Sequence, residues 1–100
     1  MKALIWTPIA LKSLQETIDF LNLKWNAQIV DAFIDLLEEK LKLIQANPEI
    51  APKIGNQDIR RLLIHPTISL FYQLNQDHLK ILLVWDNRQN PEVFYEKLKG

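Results

Sequence analysis

The sequence predicts an α+β domain in which a pair of helices covers one face of a mostly antiparallel sheet. Two segments between residues 8 and 46 carry apolar side chains at spacings of three and four, the period of a helix that lies on a core. Three shorter runs between residues 59 and 86 are rich in β-branched and aromatic residues and are bounded by turn-forming residues, as strands are. A short apolar run precedes the helices, so the predicted order is β-α-α-β-β-β.

The first helix is predicted to follow a short strand at residues 3–6. Thr7 is a good N-cap residue, and Pro8 suits the first helical position because the N–H group it lacks would have no partner there. One face of this helix is apolar, and we expect that face to lie on the core: Leu11, Leu14, Ile18, Leu21 and Trp25.

The second helix is predicted to begin after Asn26, a plausible cap, and to end at Asn47, since Pro48 disfavours the helical conformation of the residue before it. Its predicted core face consists of Ile29 or Val30, Phe33, Leu37, Leu41 and Ile44. Because the connection between the helices is so short, they must pair as an antiparallel hairpin. Such a hairpin needs a sheet to bury its apolar faces.

The second half of the chain reads as an antiparallel meander. Its predicted strands are residues 59–64, 69–74 and 80–86. The polar residues 75–78 form the turn of the central hairpin. Residues 49–58 include Pro52 and Gly55, which favour turns, and form a loop. A polar turn at 86–91 leads into a tail at 93–98. The pattern fits both a helix and an extended segment there.

The composition is that of one globular domain covering residues 1–100. Twelve basic and twelve acidic residues give a formal net charge of zero, so no overall field attracts a nucleic acid, and any such contact would have to be local. The chain has no cysteine, and its two histidines lie apart without a carboxylate cluster, so neither a metal nor a cofactor is expected. No apolar run suits a membrane span or a signal peptide, so we expect a cytoplasmic protein without a membrane partner.

Several segments, taken together and in order, are similar to those of a known protein family. They are Trp6-Thr7-Pro8 before the first helix, residues 43–48 (LIQANP) at the end of the second, Arg60 or Arg61 with Leu62, residues 69–74 (SLFYQL), and residues 80–88, where a strand leads into Asp-Asn-Arg. In this order and spacing the chain resembles, over nearly its whole length, the RelE/ParE family of bacterial toxins from type II toxin–antitoxin systems, a family that includes plasmid stabilisation proteins.

The resemblance implies a small toxin that a cognate antitoxin holds inactive. In this family a flexible segment of the antitoxin wraps the toxin and folds on binding, so a toxin–antitoxin hetero-oligomer is expected. We therefore expect an exposed apolar groove on the helical hairpin or along a sheet edge, where the antitoxin would dock.

The resemblance leaves the target open between two branches. ParE-like members poison DNA gyrase, whereas RelE-like members enter the ribosomal A site and cleave mRNA without a metal. Residues 32–48 resemble the helix ending of the ParE-like branch, and Ser69 stands where cleaving members often have arginine. A ParE-like toxin is thus the first hypothesis. A RelE-like mRNA endoribonuclease is the alternative, which leaves open whether the chain is an enzyme, and a degenerate domain that only binds a partner is a third.

For the RelE-like alternative, the candidate catalytic residues are Arg60, His65, Arg88 and Tyr95. Metal-free RNA cleavage needs a base for the ribose 2′-hydroxyl, cations for the phosphate and an acid for the leaving oxygen. Within the resemblance, Arg60 matches a basic position on the first meander strand, and Arg88 matches a late arginine. Tyr95, or Phe94 beside it, falls near a C-terminal tyrosine of the family.

Each of these residues also has an ordinary structural explanation. Arg60 and Arg61 are neighbours on a strand and point to opposite faces, so only one of them could serve a site. His65 stands before a proline at a strand end, where an exposed histidine is common. Arg88 can bind the aspartate of its own turn, and Tyr95 can pack its ring on the sheet edge.

Overall fold

The computed structural model describes residues 1–55 and 58–88. Its elements are β1 (Ala3–Trp6), α1 (Pro8–Lys24), α2 (Ala27–Ala46), β2 (Ile59–His65), β3 (Ile68–Leu74) and β4 (His78–Asp86). This order confirms the predicted α+β fold. The predicted tail at 93–98 lies outside the described residues. Within the described ranges, no helix combines the length and the apolar character that crossing a bilayer requires.

The four strands form one mixed sheet in the order β1-β4-β3-β2. β2, β3 and β4 make the predicted antiparallel meander. β1 lies at the edge beside β4 and runs parallel to it, in register from Ala3↔His78 to Trp6↔Ile81. The helical hairpin provides the long connection that a parallel neighbour requires. β4 continues to Asp86, so among residues 1–55 and 58–88 no strand lies beside its last residues on that side.

α1 packs on β4 through a face of small and polar side chains. Its buried residues are Ala10, Ser13, Thr17 and Leu21. The prediction that Leu11 and Trp25 belong to this face is wrong, because they are 53% and 58% exposed. Small side chains let the helix approach the strand closely, and the buried hydroxyls of Ser13 and Thr17 are satisfied because each donates to a carbonyl of the preceding helical turn. The rest of the predicted face does lie on the core, fully or in part: Leu14, Ile18 and Leu21.

α2 begins and ends where the sequence predicts. Asn26 is its N-cap, and the side-chain oxygen accepts a hydrogen bond from the backbone N–H of Ile29 at 3.0 Å. The helix stops at Ala46 with Asn47 as its C-cap. Its buried residues all come from the predicted face: Phe33, Leu37 and Ile44. Ile29 is 41% exposed, so that face starts with the partly buried Val30.

The sheet is buried on both faces at its centre. The side that the helices cover contributes Ile64, Ile68, Leu70, Tyr72, Leu79, Ile81 and Val84 to the main core. On the opposite side, a second cluster consists of Phe71, Leu83 and Trp85, with Ile54, Ile59 and Leu82 packed against it. Trp85 is 4% exposed, so this tryptophan packs in the second cluster.

Candidate functional site

Arg88, the arginine that follows β4, is bound by a carboxylate of its own turn. Its Nε lies 2.9 and 3.2 Å from Oδ1 and Oδ2 of Asp86, and its Nη2 lies 2.5 Å from Oδ2. The Arg88 backbone N–H also donates to Asp86 Oδ1, at 2.9 Å. The Asp86 side chain is 8% exposed and that of Arg88 is 46% exposed. The pair is therefore anchored on its carboxylate side and open to solvent on its guanidinium side.

Charge-assisted hydrogen bonds fix the protonation states of this pair. The side-chain hydrogen bonds from Arg88 hold the pKa of Asp86 below its usual value, although burial acts in the opposite direction. The same bonds raise the pKa of Arg88. Asp86 is therefore ionised at neutral pH, and its charge offsets the charge that Arg88 would otherwise offer to an anionic ligand.

The guanidinium group of Arg88 also lies over an aromatic ring of α1. Its Cζ is 5.3 Å from the centroid of the Phe20 ring, and Lys24 Nζ is 5.5 Å from the same centroid. The charge of Lys24 is a further, smaller cause of the low pKa of Asp86. One ring and two cations thus tie the turn after β4 to the last turns of α1.

His65 lies at the same end of the sheet, but its partner is local. His65 and Asp86 are both register partners of Ile68, so two strand spacings, roughly 10 Å, separate their backbones. His65 Nδ1 lies 3.1 Å from Thr67 Oγ1 and accepts a hydrogen bond from the Thr67 backbone N–H at 3.3 Å. The side chain is exposed. With Nδ1 occupied in this way, Nε2 is the ring nitrogen that remains available to solvent or to a ligand.

A chain of polar groups joins β2, β3 and the turn after β4. Arg61 Nε donates to Ser69 Oγ at 2.9 Å, and Ser69 Oγ donates to Asn87 Oδ1 at 3.2 Å. Asn87 in turn donates through its backbone N–H to the carbonyl of Thr67 at 2.6 Å. Ser69 is fully buried, so this chain satisfies a hydroxyl inside the sheet and fixes the direction of the Arg61 side chain.

Arg60 lies at the other end of β2, where it holds the segment that follows α2. Its Nη1 donates to the carbonyls of Glu49 at 3.0 Å and Ala51 at 2.8 Å. Beside it, the Tyr72 hydroxyl donates to the carbonyl of Pro48 at 2.7 Å. Burial raises the pKa of Tyr72, while the charge of Arg60 acts against that rise. Within the described part of the chain, Arg60 Nε is buried without a hydrogen-bond partner.

The structure brings together only part of the predicted set. Arg88 and His65 share one end of the sheet. Arg60 pairs with Tyr72, which lies four residues along β3 from the partner of Asp86, so Arg60 is roughly 13 Å from that end along the strands. Tyr95 lies outside the described residues, and the catalytic role of all four stays a prediction. Among residues 1–55 and 58–88, no three His, Cys, Asp or Glu side chains form a group that could hold a metal ion.

Sequence reasoning identified one partner of these arginines and missed the others. The bond between Arg88 and Asp86 is local, and the two-residue spacing is its signal. Phe20 and Lys24 are far from Arg88 in sequence, so no pattern along the chain places them beside it. The bond from Arg61 to Ser69 depends on how the two strands align, and the sequence did not fix that register.

Exposed apolar side chains concentrate where α1 turns into α2. They are Phe20, Leu23, Trp25 and Ile29. Leu23 is the most open of these, at 88% exposed, and Leu63 on the edge strand β2 is 49% exposed. Apolar side chains are thus exposed on the helical hairpin and at a sheet edge, while their use as an antitoxin groove stays a prediction.

A sequence model of one protein family matches residues 4–91, and that family is described as the ParE toxin of the type II toxin–antitoxin system, parDE. The match covers every described helix and strand except the first residue of β1. No curated protein sequence matches the chain.

Solved structures of toxins share the fold. A structure described as the chromosomal ParDE toxin–antitoxin system from P. aeruginosa superposes with a TM-score of 0.72 at 19% identity, over 86% of this chain and 96% of that chain. A copper-bound mutant toxin from Helicobacter pylori gives 0.57 at 22% identity, over 86% and 94%. A YafQ mutant from E. coli gives 0.59 at 13% identity, over 94% and 99%. At these identities the likeness is one of fold.

Proposed function

The chain belongs to the ParE family of toxins from type II toxin–antitoxin systems, and we propose that it arrests growth by binding a macromolecular target of the DNA gyrase type, not by cleaving RNA. Its action takes place in the cytoplasm, where gyrase works. A cognate antitoxin, the partner that the family implies, holds the toxin inactive in a hetero-oligomer.

The observation that carries this proposal is the bidentate pair between Asp86 and Arg88. Metal-free RNA cleavage requires cations that face the scissile phosphate. Here the guanidinium group faces a buried carboxylate, and turning it towards a phosphate would leave that carboxylate charged and unpaired. Arg88 therefore supports the turn and its contact with α1 better than it supports phosphate binding.

The other two arginines of the predicted region are also engaged. Arg60 pairs in register with Tyr72, which belongs to the core on the helix side, and Arg61 pairs with Phe71, which belongs to the opposite cluster. The two guanidinium groups thus point to opposite sides of the sheet and bind protein acceptors there. With a formal net charge of zero, this arrangement favours recognition of a target by surface complementarity over the gripping of a nucleic acid.

One observation favours the RelE-like alternative, a metal-independent mRNA endoribonuclease. The exposed Nε2 of His65 and the open side of Arg88 lie at the same end of the sheet, roughly 10 Å apart at the backbone. In that alternative His65 is the base and Arg88 holds the phosphate once it leaves Asp86. A domain that binds a partner without arresting growth is the third possibility that an experiment must separate.

For the antitoxin, we propose a flexible segment that becomes ordered on the exposed apolar side chains of the helical hairpin. Leu23 and Trp25 are 88% and 58% exposed at the tip of that hairpin, and large apolar side chains exposed together mark interaction surfaces. A segment that folds on binding can wrap such a surface.

Growth under inducible expression tests the function. Wild type, Arg88→Ala and the matched control Lys12→Ala, which removes an exposed cation from α1, are compared in parallel. Circular dichroism confirms that each variant folds. Primer extension on a reporter mRNA reports cleavage, and a supercoiling assay with purified chain reports gyrase inhibition.

Arrest without mRNA cuts, with gyrase inhibited and the DNA-damage response induced, supports the proposal. Ribosome-dependent cuts that Arg88→Ala abolishes and Lys12→Ala retains replace it with the RelE-like alternative. No arrest by folded wild-type protein, in a host without the antitoxin, leaves the binding domain as the function.

A further inference from the structure

The outer edge of β1 is open. β1 lies at the edge of the sheet, and β4 is its neighbour there. The Thr7 N–H donates to the carbonyl of Ile81, so Thr7 faces β4, and alternation along a parallel ladder makes Ile5 face β4 as well. The backbone N–H and C=O groups of Leu4 and Trp6 therefore point away from the sheet. No backbone group of the described chain is bound to them.

We propose that two copies of the chain pair along this edge and form a dimer. β1 of one copy runs antiparallel to β1 of the other, about a two-fold axis at Ile5. Leu4 of each copy then exchanges both backbone hydrogen bonds with Trp6 of the other copy, which gives every open group of the edge a partner. The two four-stranded sheets join into one continuous sheet.

The backbone permits one register for this pairing. A register that pairs Leu4 with Leu4 of the other copy brings Trp6 opposite Lys2. The Lys2 N–H donates to the carbonyl of Gln45 at 3.5 Å, and the Lys2 carbonyl accepts from the Gln45 side chain at 2.9 Å, so neither group is open. A register that pairs Trp6 with itself brings Leu4 opposite Pro8, which has no N–H. Pairing Leu4 with Trp6 is thus the register that uses all the open groups.

The side chains of β1 suit a second copy of the chain. Residues 3–6 are Ala-Leu-Ile-Trp, so two such edges meet without bringing like charges together. Leu4 and Trp6 pack against the main core on the helix side, and alternation therefore places Ile5 on the opposite face, where it is 48% exposed. In the dimer the two Ile5 side chains lie directly opposite each other and cover their exposed apolar surface.

The other edge of the sheet is protected, and β1 is not. Natural sheets block free edges with charged residues, prolines, bulges or covering loops. Residues 52–54 run along the start of β2 and are bound there to Ile59 and Arg61, and a bulge follows Leu63. Residues 3–6 contain no charge and no proline, and their register with β4 is regular. This contrast marks β1 as the edge that is able to pair.

The dimer is expected to be weak and reversible, because an interface built on one short strand buries less surface than a permanent dimer needs. Asp86, Arg88 and the exposed apolar side chains of the helical hairpin all lie outside β1. Pairing through β1 is therefore independent of which target the toxin inhibits.

Sedimentation velocity of the purified chain, from the low micromolar to the millimolar range, tests the dimer. Wild type should show a reversible, concentration-dependent change from monomer to dimer. Ile5→Lys places two like charges opposite each other at the axis and should weaken dimerisation roughly tenfold or more. The matched control is Leu63→Lys, at a side chain 49% exposed on the other edge strand, which should leave dimerisation unchanged. Circular dichroism confirms that both variants fold.

Two further measurements locate the contact on β1. Amide hydrogen exchange of Leu4 and Trp6 in wild type should slow as the concentration rises, since these N–H groups gain acceptors in the dimer. The chain has no cysteine, so Ile5→Cys introduces a single thiol at the axis. With oxidised glutathione this variant should form a disulfide-linked dimer, because the two Cβ atoms of such a pair lie close together. Leu63→Cys should give far less of it.

A chain that stays monomeric at millimolar concentration would overturn the inference. So would a dimer that Ile5→Lys leaves intact, or one in which the Leu4 and Trp6 amides exchange as fast as in the monomer. A dimer lost in Leu63→Lys but kept in Ile5→Lys would move the contact to β2. Growth arrest is measured separately, so failure here leaves the proposed function standing, and failure there leaves the β1 contact untouched.

Discussion

The hydroxyl of Ser13 accepts a hydrogen bond from the backbone N–H of Val84 at 2.9 Å, beyond the part of β4 that pairs with β1. β1 pairs with β4 only as far as Ile81, so none of the described strands lies beside that edge of β4 beyond this residue. A buried N–H without an acceptor there would cost free energy. Ser13 also donates to the carbonyl of Ala10 at 2.8 Å, so its hydroxyl closes the sheet edge and remains satisfied within α1.

Ser13→Ala should lower the free energy of unfolding by about 1–3 kcal/mol, because it leaves the Val84 N–H buried without an acceptor. Thr17→Val is the matched control. Thr17 is 6% exposed, as Ser13 is, but its hydroxyl only donates to a carbonyl of its own helix, so its removal should cost less than about 1 kcal/mol. Equilibrium unfolding in urea measures both values. Equal losses of unfolding free energy in the two variants would show that the bond to Val84 contributes no more to stability than a hydrogen bond within α1.

The elements that the sequence predicts well are those set by local chemistry. Both helix starts are fixed by a capping side chain, Thr7 and Asn26, whose oxygen binds an N–H three residues further on. The face of α1 was harder to predict. Apolar spacing favours Leu11 and Trp25, whereas the place beside β4 needs small side chains and a hydroxyl such as that of Ser13. A pattern that ranks residues by hydrophobicity misses this requirement.

The candidate site shows the same division between local and distant contacts. The opposite directions of Arg60 and Arg61 follow from strand alternation and are confirmed by their register partners, which lie in clusters on the two faces of the sheet. The contact of Arg88 with Phe20 was not predictable, since it depends on where α1 crosses the end of β4. The parallel placement of β1 beside β4 was likewise fixed only by tertiary packing.

Asp86→Asn should destabilise the protein by about 1–2 kcal/mol at neutral pH, because a charge-assisted hydrogen bond is lost. This free energy is lower than for a fully buried bond, since the Arg88 side chain is half exposed and solvent screens the pair. The folded state holds the pKa of Asp86 below its unfolded value of about 3.9. Ionised Asp86 therefore stabilises the folded state above that pH. This stabilisation is lost as the pH falls through the pKa that Asp86 has in the folded state. The difference in unfolding free energy between wild type and variant should stay constant from about pH 7 to pH 5 and shrink below about pH 4.

The control for this pH dependence is Asp35→Asn, which removes an exposed carboxylate on α2. It should change the free energy of unfolding by less than about 0.5 kcal/mol across the same range. A constant difference between wild type and Asp86→Asn down to the acid transition would mean that Asp86 does not titrate with folding. The bidentate pair would then contribute nothing specific to stability.

Tyr72→Phe should cost about 0.5–1.5 kcal/mol at neutral pH, because the hydroxyl bond to the Pro48 carbonyl is lost. The variant should also change the alkaline limit of stability. Burial raises the pKa of Tyr72, so the folded state binds the phenol proton more tightly than the unfolded state does. The free energy of unfolding of the wild type should therefore fall as the pH rises above about 10. That of Tyr72→Phe should fall less over the same range. Urea unfolding at a series of alkaline pH values measures it, and parallel curves for the two proteins would contradict the assignment.

The ring of Phe20 should be coupled energetically to both cations that lie over it. A double-mutant cycle with Phe20→Leu and Arg88→Gln should give a coupling free energy of about 0.5–1 kcal/mol, the range for a cation over an exposed ring. The cycle removes the cost of breaking the pair with Asp86, because that cost is the same with and without the ring. Phe20→Leu with Lys24→Gln should give a similar coupling, while Lys12→Gln, an exposed cation elsewhere on α1, should give none. Coupling to Lys24 but not to Arg88 would mean that the Phe20 ring does not hold Arg88, and Arg88 would then be held by its pair with Asp86.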